Sequence, residues 1–255
     1  MIKKLIINAD DFGLTEGVSK GIIDAHLCGV LTSTTLLMNM PSTKKAIQLA
    51  KENPKLGLGI HLNMTLGTPL IGDKAKSLTD DTGKFLPPRL MNSPNYIVDL
   101  DELYHELTTQ MNLFTTLVGK LPTHIDSHHH MHMLPQYRGV FDRVAKDFGV
   151  VMRSLPLWRQ DKLAKKEEYI QFNDDFYGLD LTVQSLISIM TRYAETLEIM
   201  SHPGYIDDDL HAISSYTEAR LIELEILKSP ELRQFIDDVG IELVTYITND
   251  VKLKG

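Results

Sequence analysis

Cysteine is almost absent from this chain of 255 residues, in which Cys28 is the only one. A single cysteine forms no intrachain disulfide, which excludes the small secreted domains that disulfides hold together. We therefore expect a reducing compartment, and we predict a cytoplasmic protein. The length fits one large domain spanning residues 1–255, with enough chain to bury a sizeable core.

Long hydrophobic runs are missing as well. No run approaches the ~20 apolar residues that cross a bilayer, and the apolar stretch at the N-terminus is too short for a signal peptide. The 26 basic residues are outnumbered by 34 acidic ones, for a formal net charge of −8. A nucleic-acid binder normally shows a basic face. We therefore expect neither a membrane nor a nucleic acid as partner.

Glycine-rich phosphate loops do not occur in the sequence. Neither G-x-x-x-x-G-K-[ST] nor G-x-G-x-x-G is present, which argues against an NTPase or a dinucleotide enzyme. Internal repeats, heptad arrays and low-complexity segments are also lacking. The function must therefore be sought in scattered polar residues.

Short apolar runs alternate with amphipathic segments along the whole chain. Strands are predicted at Lys4–Ala9, Val30–Leu37, Leu56–Leu62, Thr123–Ser127, Val150–Arg153, Thr196–Ser201 and Ile241–Tyr246. Helices are predicted at Thr15–Leu27, Thr43–Glu52, Asp99–Val118, Pro135–Gly149, Leu181–Ala194, Thr217–Lys228 and Glu231–Val239. Met64–Tyr96 and Trp158–Gly178 lack a clear period, and the Asp174–Asp175 pair fits solvated surface. This alternation predicts an α/β fold, an irregular (β/α) barrel of about seven parallel strands in a single domain.

The run Thr123–Met133 is the most unusual stretch of the sequence. It holds five of the ten histidines, and it leaves the carboxyl end of a predicted strand. Short histidine tracts also bind metals adventitiously or decorate loops. The position between a strand and a helix favours a metal or catalytic site, because active sites of parallel α/β proteins form at the carboxyl ends of strands.

Reactive side chains also close three other predicted strands. Asp10 and Asp11 follow the first strand, His61 ends the third, and His202 follows the sixth. Each has an alternative: an aspartate caps helices and a strand histidine is commonly a core residue. Arg153 fits a surface arginine and a pocket residue equally well.

A closed sheet would bring these strand ends into one cavity. A carboxylate with two imidazoles is a recurrent ligand set for a divalent ion with open positions. A second carboxylate could then act as a base on water, and a histidine from another strand could protonate the leaving group. The residue types therefore predict a metal-assisted hydrolase of an amide, an ester or a phosphoester.

Four motifs resemble, in the same order, those of the YdjC-type carbohydrate deacetylases, which include chitooligosaccharide deacetylases. They are Asn8-Ala9-Asp10-Asp11-Phe12-Gly13, Gly59-Ile60-His61-Leu62, Thr123–His132 and Ser201-His202-Pro203. The resemblance implies an irregular barrel that removes acetyl from an N-acetylated amino sugar, a small chitooligosaccharide or its phosphate, by metal-activated water. It also implies a homodimer.

The same resemblance implies a role for each matched residue. Asp11, His61 and His128 correspond to the metal ligands, Asp10 to the general base and His202 to the general acid. The remaining candidates would support these groups: His124 and Asp126 as orienting residues, His132 as an outer partner or alternative ligand, Arg153 as a supporting residue, and His129 and His130 as loop or substrate contacts. The resemblance implies Mg²⁺ as the single divalent ion, whereas two imidazoles favour Zn²⁺, Co²⁺ or Mn²⁺.

Two other functions fit the same residues. A metal-dependent phosphoesterase on a similar barrel would hold two ions ~3.5–4 Å apart, so ion stoichiometry distinguishes it. A catalytically idle sugar-binding or regulatory protein would keep the metal but release no acetate from any acetylated amino sugar.

Overall fold

The computed structural model of the chain describes residues 2–156 and 170–246. Its strands are β1 (Ile2–Phe12), β2 (Ser33–Leu36), β3 (Gly57–Leu62), β4 (Ile125–Ser127), β5 (Gln171–Asn173), β6 (Glu195–Ser201) and β7 (Glu242–Leu243). Its α-helices are α1 (Glu16–Cys28), α2 (Thr43–Glu52), α3 (Pro88–Met91), α4 (Leu100–Val118), α5 (Pro135–Phe148), α6 (Val183–Thr191), α7 (Asp208–Ile213), α8 (Glu218–Leu227) and α9 (Pro230–Asp238). Gly72–Lys74 and His128–Met133 form 3₁₀ turns.

The strands form one parallel sheet in the order β4-β3-β2-β1-β6-β5, with β7 paired to the amino half of β1. β1 is central and is paired along both edges. Its apolar residues are fully buried because both faces of the strand are covered: Leu5 and Ile7 pack into the main hydrophobic core, and Ile6 packs in a second cluster with Ile170 and Val244. The sheet curls. Arg153, whose backbone pairs with β4, reaches Glu198 of β6 at 2.9 Å, although three strands separate β4 from β6. This curled parallel half-barrel confirms the predicted fold class.

Local sequence signals fix the ends of several helices. The Thr15 hydroxyl accepts a hydrogen bond from Val18 N at 3.2 Å and caps α1. Gly149 closes α5 in the left-handed region, at φ 64°, which glycine adopts without strain. At the carboxyl end of α1, Leu27 is 65% exposed, whereas Ala25 is buried. In the described part of the chain, no helix has the length and apolarity required to traverse a bilayer.

Short elements account for the remaining differences. The predicted strand at Val150–Arg153 is reduced to one bridge between Met152 and Ile125, and the last predicted strand shortens to β7. β5 lies unpredicted within Trp158–Gly178, of which residues 158–169 lie outside the described residues. α3 and α7 were also not predicted, because helices of four and six residues carry too little periodicity to be recognised.

Candidate metal and catalytic site

The reactive strand ends meet at the carboxyl edge of the sheet. Asp10, Asp11, His61, His128 and His202 all line one cavity of about 460 Å³. They come from β1, β3, the turn after β4 and the segment after β6, and so from strands far apart in the chain. The curled sheet therefore makes a single pocket from residues up to 192 positions apart in the chain.

Asp11, His61 and His128 group their ligand atoms tightly. Asp11 Oδ1 lies 2.9 Å from His128 Nδ1 and 3.4 Å from His61 Nε2, and all three residues are buried. The candidate ligand atoms lie within 4.8 Å of one another. One carboxylate and two imidazoles at this spacing fit a single divalent ion that keeps positions open for water and substrate.

Asp126 fixes which nitrogen of His61 faces this group. Its Oδ1 lies 2.7 Å from His61 Nδ1, and Thr35 Oγ1 donates to its Oδ2 at 2.9 Å. Nε2 of His61 is thereby left toward Asp11, as in other sites where a carboxylate orients a ligating histidine. Burial alone would lower the pKa of His61, but the Asp126 and Asp11 carboxylates outweigh burial and raise that pKa to about 10.

Arg153 is not a surface arginine: its side chain is fully buried and binds Asp10, although it does not itself line the cavity. Its Nη1 donates to Asp10 Oδ2 at 2.8 Å and its Nη2 to Asp10 Oδ1 at 2.6 Å, with the guanidinium fully buried. Asn8 donates a further bond to Asp10 Oδ1 at 2.9 Å. Burial alone would raise the pKa of Asp10, but Arg153 holds that pKa well below its usual range. Asp10 is therefore ionised.

His124 and His132 support the site from behind the cavity. His124 Nε2 lies 3.0 Å from Asn8 Oδ1, so His124 acts on Asp10 through Asn8 and does not contact a ligand of the trio. His132 Nδ1 lies 2.7 Å from Ser127 Oγ, and its ring packs edge-on against Phe141. Within the described residues, neither histidine lines the cavity or joins a group that could hold an ion.

His202 stands beside two tyrosines. Its backbone N–H donates to the Glu223 carboxylate, and its ring centroid lies 5.7 Å from that of Tyr177 and 5.6 Å from that of Tyr216. Its Nδ1 is buried and has no hydrogen-bond partner within the described residues. Burial lowers the pKa of His202 to about 4. The ring is therefore neutral at neutral pH.

His129 and His130 form a strained turn at the cavity rim. Both adopt left-handed backbone angles, with φ values of 56° and 54°, which is uncommon outside glycine. His129 Nδ1 lies 2.8 Å from Thr65 Oγ1, and both histidines line the cavity. Strain of this kind persists where the surroundings enforce it, commonly at functional sites.

Several cavity residues were not predicted. Arg220 of α8 donates to Asp11 Oδ2 at 2.6 Å, and Tyr177, Tyr216 and Asp174 line the wall. The prediction that the Asp174–Asp175 pair is solvated surface is therefore wrong for Asp174, which is half-buried. Asp175 is exposed and pairs with Arg192 at 2.8 Å. An arginine on an amphipathic helix and tyrosines in loops carry no local signal for a pocket, so the sequence alone could not reveal them.

Comparison with known proteins identifies a family whose model matches this chain. The model of the family described as YdjC-like protein matches residues 4–238. A carbohydrate deacetylase of Brevibacillus brevis is 41% identical over 250 residues, covering 95% of this chain and 98% of its own. A chitooligosaccharide deacetylase of Yersinia enterocolitica is 40% identical over 262 residues, covering 96% of this chain and 99% of its own.

Solved structures agree on the fold. A crystal structure from Enterococcus faecalis V583, described provisionally as a cellobiose-phosphate cleavage protein, matches with a TM-score of 0.88 and 34% identity over 96% of this chain and 98% of that one. A peptidoglycan N-acetylglucosamine deacetylase matches with a TM-score of 0.50 and 13% identity, over 95% of this chain and 86% of that one. The second similarity concerns the fold alone.

Proposed function

The chain belongs to the YdjC-like protein family, and from this membership we propose that it is a metal-dependent carbohydrate deacetylase. The proposed reaction hydrolyses the acetamide of an N-acetylated amino sugar, a small chitooligosaccharide or its phosphate, and releases acetate. Relatives about 40% identical are named carbohydrate and chitooligosaccharide deacetylases. The observation that carries the proposal is the grouping of Asp11, His61 and His128 beside Asp10 in one cavity.

The donor set supports one ion. A second group that could hold an ion, Asp10, His61 and Asp126, shares His61 with the first, and both of its carboxylates already contact the Arg153 guanidinium. This arrangement disfavours the two-ion phosphoesterase. A bound divalent ion supplies a Lewis acid and lowers the pKa of its water. The family resemblance supports Mg²⁺, which we propose as the ion. The chemistry of two imidazole ligands supports Zn²⁺, Co²⁺ or Mn²⁺ as the alternatives.

Asp10 is proposed as the general base. Arg153 and Asn8 hold its carboxylate in one orientation, and its low pKa keeps it free of a proton at neutral pH. Each carboxylate oxygen has two lone pairs, so Oδ2 can accept a proton from water in the cavity while it accepts from Arg153. Arg153 therefore positions the Asp10 carboxylate. Arg153 also makes Asp10 a weaker base, since a low pKa means a low affinity for protons.

His202 is proposed as the group that protonates the departing amine. It lines the cavity, and its Nδ1, which has no partner within the described residues, is available to bind and release a proton. With a pKa of about 4 the resting ring is neutral, so it would first take up the proton that Asp10 accepted from water and would then pass that proton to the amine nitrogen.

An acetate-release screen tests the proposed function. The purified protein is assayed on N-acetylglucosamine, its phosphates and chitooligosaccharides, with Mg²⁺, Zn²⁺, Co²⁺ and Mn²⁺ added separately after chelation. We expect acetate release with one ion bound per chain, and loss of both ion and activity in Asp11→Ala. Ion binding without acetate from any of these sugars would instead identify an idle sugar-binding protein, and two bound ions would favour a phosphoesterase.

We also propose a cytoplasmic location and a homodimer. The single cysteine supports the first, and the family resemblance supports the second. Cell fractionation tests the location, and light scattering on the purified protein tests the oligomeric state.

A further inference from the structure

One wall of the cavity carries two tyrosines that the proposed chemistry does not use. The rings of Tyr177 and Tyr216 are nearly parallel, at 15°, with centroids 4.1 Å apart. Tyr177 is 54% exposed although it lines the cavity, so a large aromatic surface stands open to whatever enters. A cavity lined by aromatic surface with a few polar groups is the usual form of a small-molecule site.

Hydrogen bonds hold the two rings in place before any ligand binds. The Gly178 N–H, next to Tyr177 in the chain, donates to the Tyr216 hydroxyl at 2.8 Å, and that hydroxyl donates to Glu223 of α8. The loop that bears Tyr177 is thus tied to the ring on which Tyr177 stacks. A surface fixed in this way costs little ordering entropy on binding.

The stacked pair lies next to the proposed proton donor. His202 contacts both rings edge-on, at centroid distances of 5.7 and 5.6 Å. Because the amine nitrogen must reach His202, the sugar ring attached to it must lie within a few bonds of this aromatic surface. A pyranose has apolar C–H faces and a rim of hydroxyls, and the C–H faces are complementary to an aromatic face.

Polar groups surround the same wall. Ser214, Ser215 and Asp174 line it, and Arg220 reaches it from α8. Arg220 Nη2 is bound to Asp11, whereas its buried Nη1 has no hydrogen-bond partner within the described residues. A buried guanidinium N–H without a hydrogen-bond partner costs free energy, and an acceptor oxygen of a bound ligand would satisfy this donor.

We propose that Tyr177 is the sugar-stacking residue of this site. Its open face takes the pyranose ring whose acetamide is hydrolysed, and Arg220 Nη1 donates to an oxygen of that sugar. The inference rests on the proposed function, because it places the sugar from the position of His202. It goes further by naming a residue that sets the affinity for pyranose substrates.

The test compares Tyr177→Ala with Tyr177→Phe. Leu179→Ala is the matched control, because Leu179 lies two residues along the same loop, is 64% exposed and does not line the cavity. KM and kcat for acetate release from the β-1,4-linked dimer of N-acetylglucosamine are measured with metal. The dissociation constant of the same dimer is measured by calorimetry on chelator-treated protein, which does not turn over. Circular dichroism confirms that each variant is folded.

We expect Tyr177→Ala to raise both KM and the dissociation constant by about tenfold, with kcat within about twofold. Tyr177→Phe, which keeps the ring, should recover most of the lost affinity, and Leu179→Ala should match the wild type. Unchanged KM and dissociation constant in Tyr177→Ala, or a fall in kcat alone, would overturn the stacking role. If the wild type binds the dimer but releases no acetate, the deacetylase proposal fails and the dissociation constants alone decide on Tyr177. A wild type that neither binds nor cleaves the dimer overturns both.

Discussion

Two neighbouring aspartates reach the same cavity because the backbone at one of them is irregular. Successive side chains of a strand point to opposite faces, so Asp10 and Asp11 would ordinarily not share a pocket. Asp11 has a φ of 69°, and the pairing of β1 with β2 shifts register between Ala9 and Phe12. This irregularity turns both carboxylates into the cavity. Aspartate tolerates the left-handed region better than most residues, at a modest cost in strain.

Replacing Asp10 with asparagine should separate the proposed catalysis from ion binding. Asp10→Asn keeps the shape of the side chain, and Arg153 retains its contacts with Asp126 and Glu198, so the fold and the ion should persist. We expect kcat to fall by about 10²–10⁴-fold, the usual effect of losing a general base. Metal content by mass spectrometry and acetate release are measured together, with Asp175→Asn, an exposed position, as control. Near-normal turnover in Asp10→Asn would contradict the role of base.

A second substitution tests the support behind His61. Asp126→Asn removes the charge that orients His61 Nδ1–H, while Thr35 Oγ1 can still contact the amide. We expect the affinity for the divalent ion to fall by about 10–100-fold, as for other partners of ligating histidines. Titration calorimetry with the preferred metal measures this affinity. The control is Asp142→Asn, which lies in an exposed ion pair on α5. Equal affinity in Asp126→Asn and wild type would show that His61 needs no carboxylate to hold its orientation.

Helix α1 touches the segment that carries His202. A Cβ on Gly21 would lie 2.6 Å from Gly204 Cα and 2.7 Å from Tyr205 N, closer than side chains pack against backbone. Gly204 and Tyr205 lie two and three residues after His202, and Tyr205 N donates to Gly17 O of the same helix at 3.2 Å. The glycine in α1 therefore permits the close approach that sets the path of the chain after β6.

Alanine at this position should disturb both stability and activity. We expect Gly21→Ala to lower the free energy of unfolding by about 1–3 kcal/mol, since backbone must move to relieve the overlap, and to reduce kcat because His202 moves with it. Gly139→Ala is the matched control: Gly139 lies in α5, and in the described part of the chain no atom outside its own helical surroundings lies within 4 Å of the place that an alanine methyl would take. There alanine should raise stability by about 0.5–1 kcal/mol. Urea denaturation and acetate release measure the two effects, and a Gly21→Ala variant as stable as wild type would show that the contact is not tight.

Periodicity predicted the elements that are long enough to show it. α4 follows a run in which Leu103, Leu107, Met111 and Phe114 recur at helical spacing, and all four are fully buried. β5 has three residues and, among the described strands, pairs only with β6, so its strand character comes from the sheet and not from its own sequence. The same holds for the bridge at Met152.

The candidate site was predictable where it depends on strand ends. Parallel strands present their carboxyl ends at one edge, so His61, His128 and His202 could be placed together from sequence. Arg220 and Tyr177 could not, because their positions depend on how α8 and a loop pack against the sheet. Their contacts with Asp11 and Tyr216 join residues 209 and 39 positions apart.

The whole molecule concentrates charge in its interior. Asp10, Asp11, Asp126 and Glu198 are buried, and they contact only two buried guanidiniums in the described part of the chain, those of Arg153 and Arg220. Burying a charge costs free energy unless an opposite charge pairs with it. Removing one partner of a buried pair therefore leaves the other charge without compensation for its lost hydration. A divalent cation held by Asp11, His61 and His128 would add positive charge beside these carboxylates, which supports the proposed ion.

The interior histidines with lowered pKa values make the molecule sensitive to acid, whereas His61, with its raised pKa, does not. Burial lowers the pKa of His202 to about 4, and it lowers the pKa values of His124 and His132 well below the ordinary value. In the unfolded chain each would titrate near ~6.5. Below pH ~6.5 the unfolded state binds protons that the folded state does not. The contribution of these histidines to the free energy of unfolding is therefore fully present above pH ~6.5, and it is lost as the pH falls toward their folded-state pKa values.

We therefore expect the free energy of unfolding of chelator-treated protein to fall between pH 7 and pH 5, with each such histidine contributing up to about 1.4 kcal/mol per pH unit. His132→Gln removes one of them and should lose less stability over this interval than the wild type. His211→Asn, an exposed position on α7, should lose as much as the wild type. Urea denaturation at the two pH values measures each loss. Equal losses in His132→Gln and wild type would mean that His132 gains its proton without unfolding, and that the cavity side of the sheet opens to water in acid.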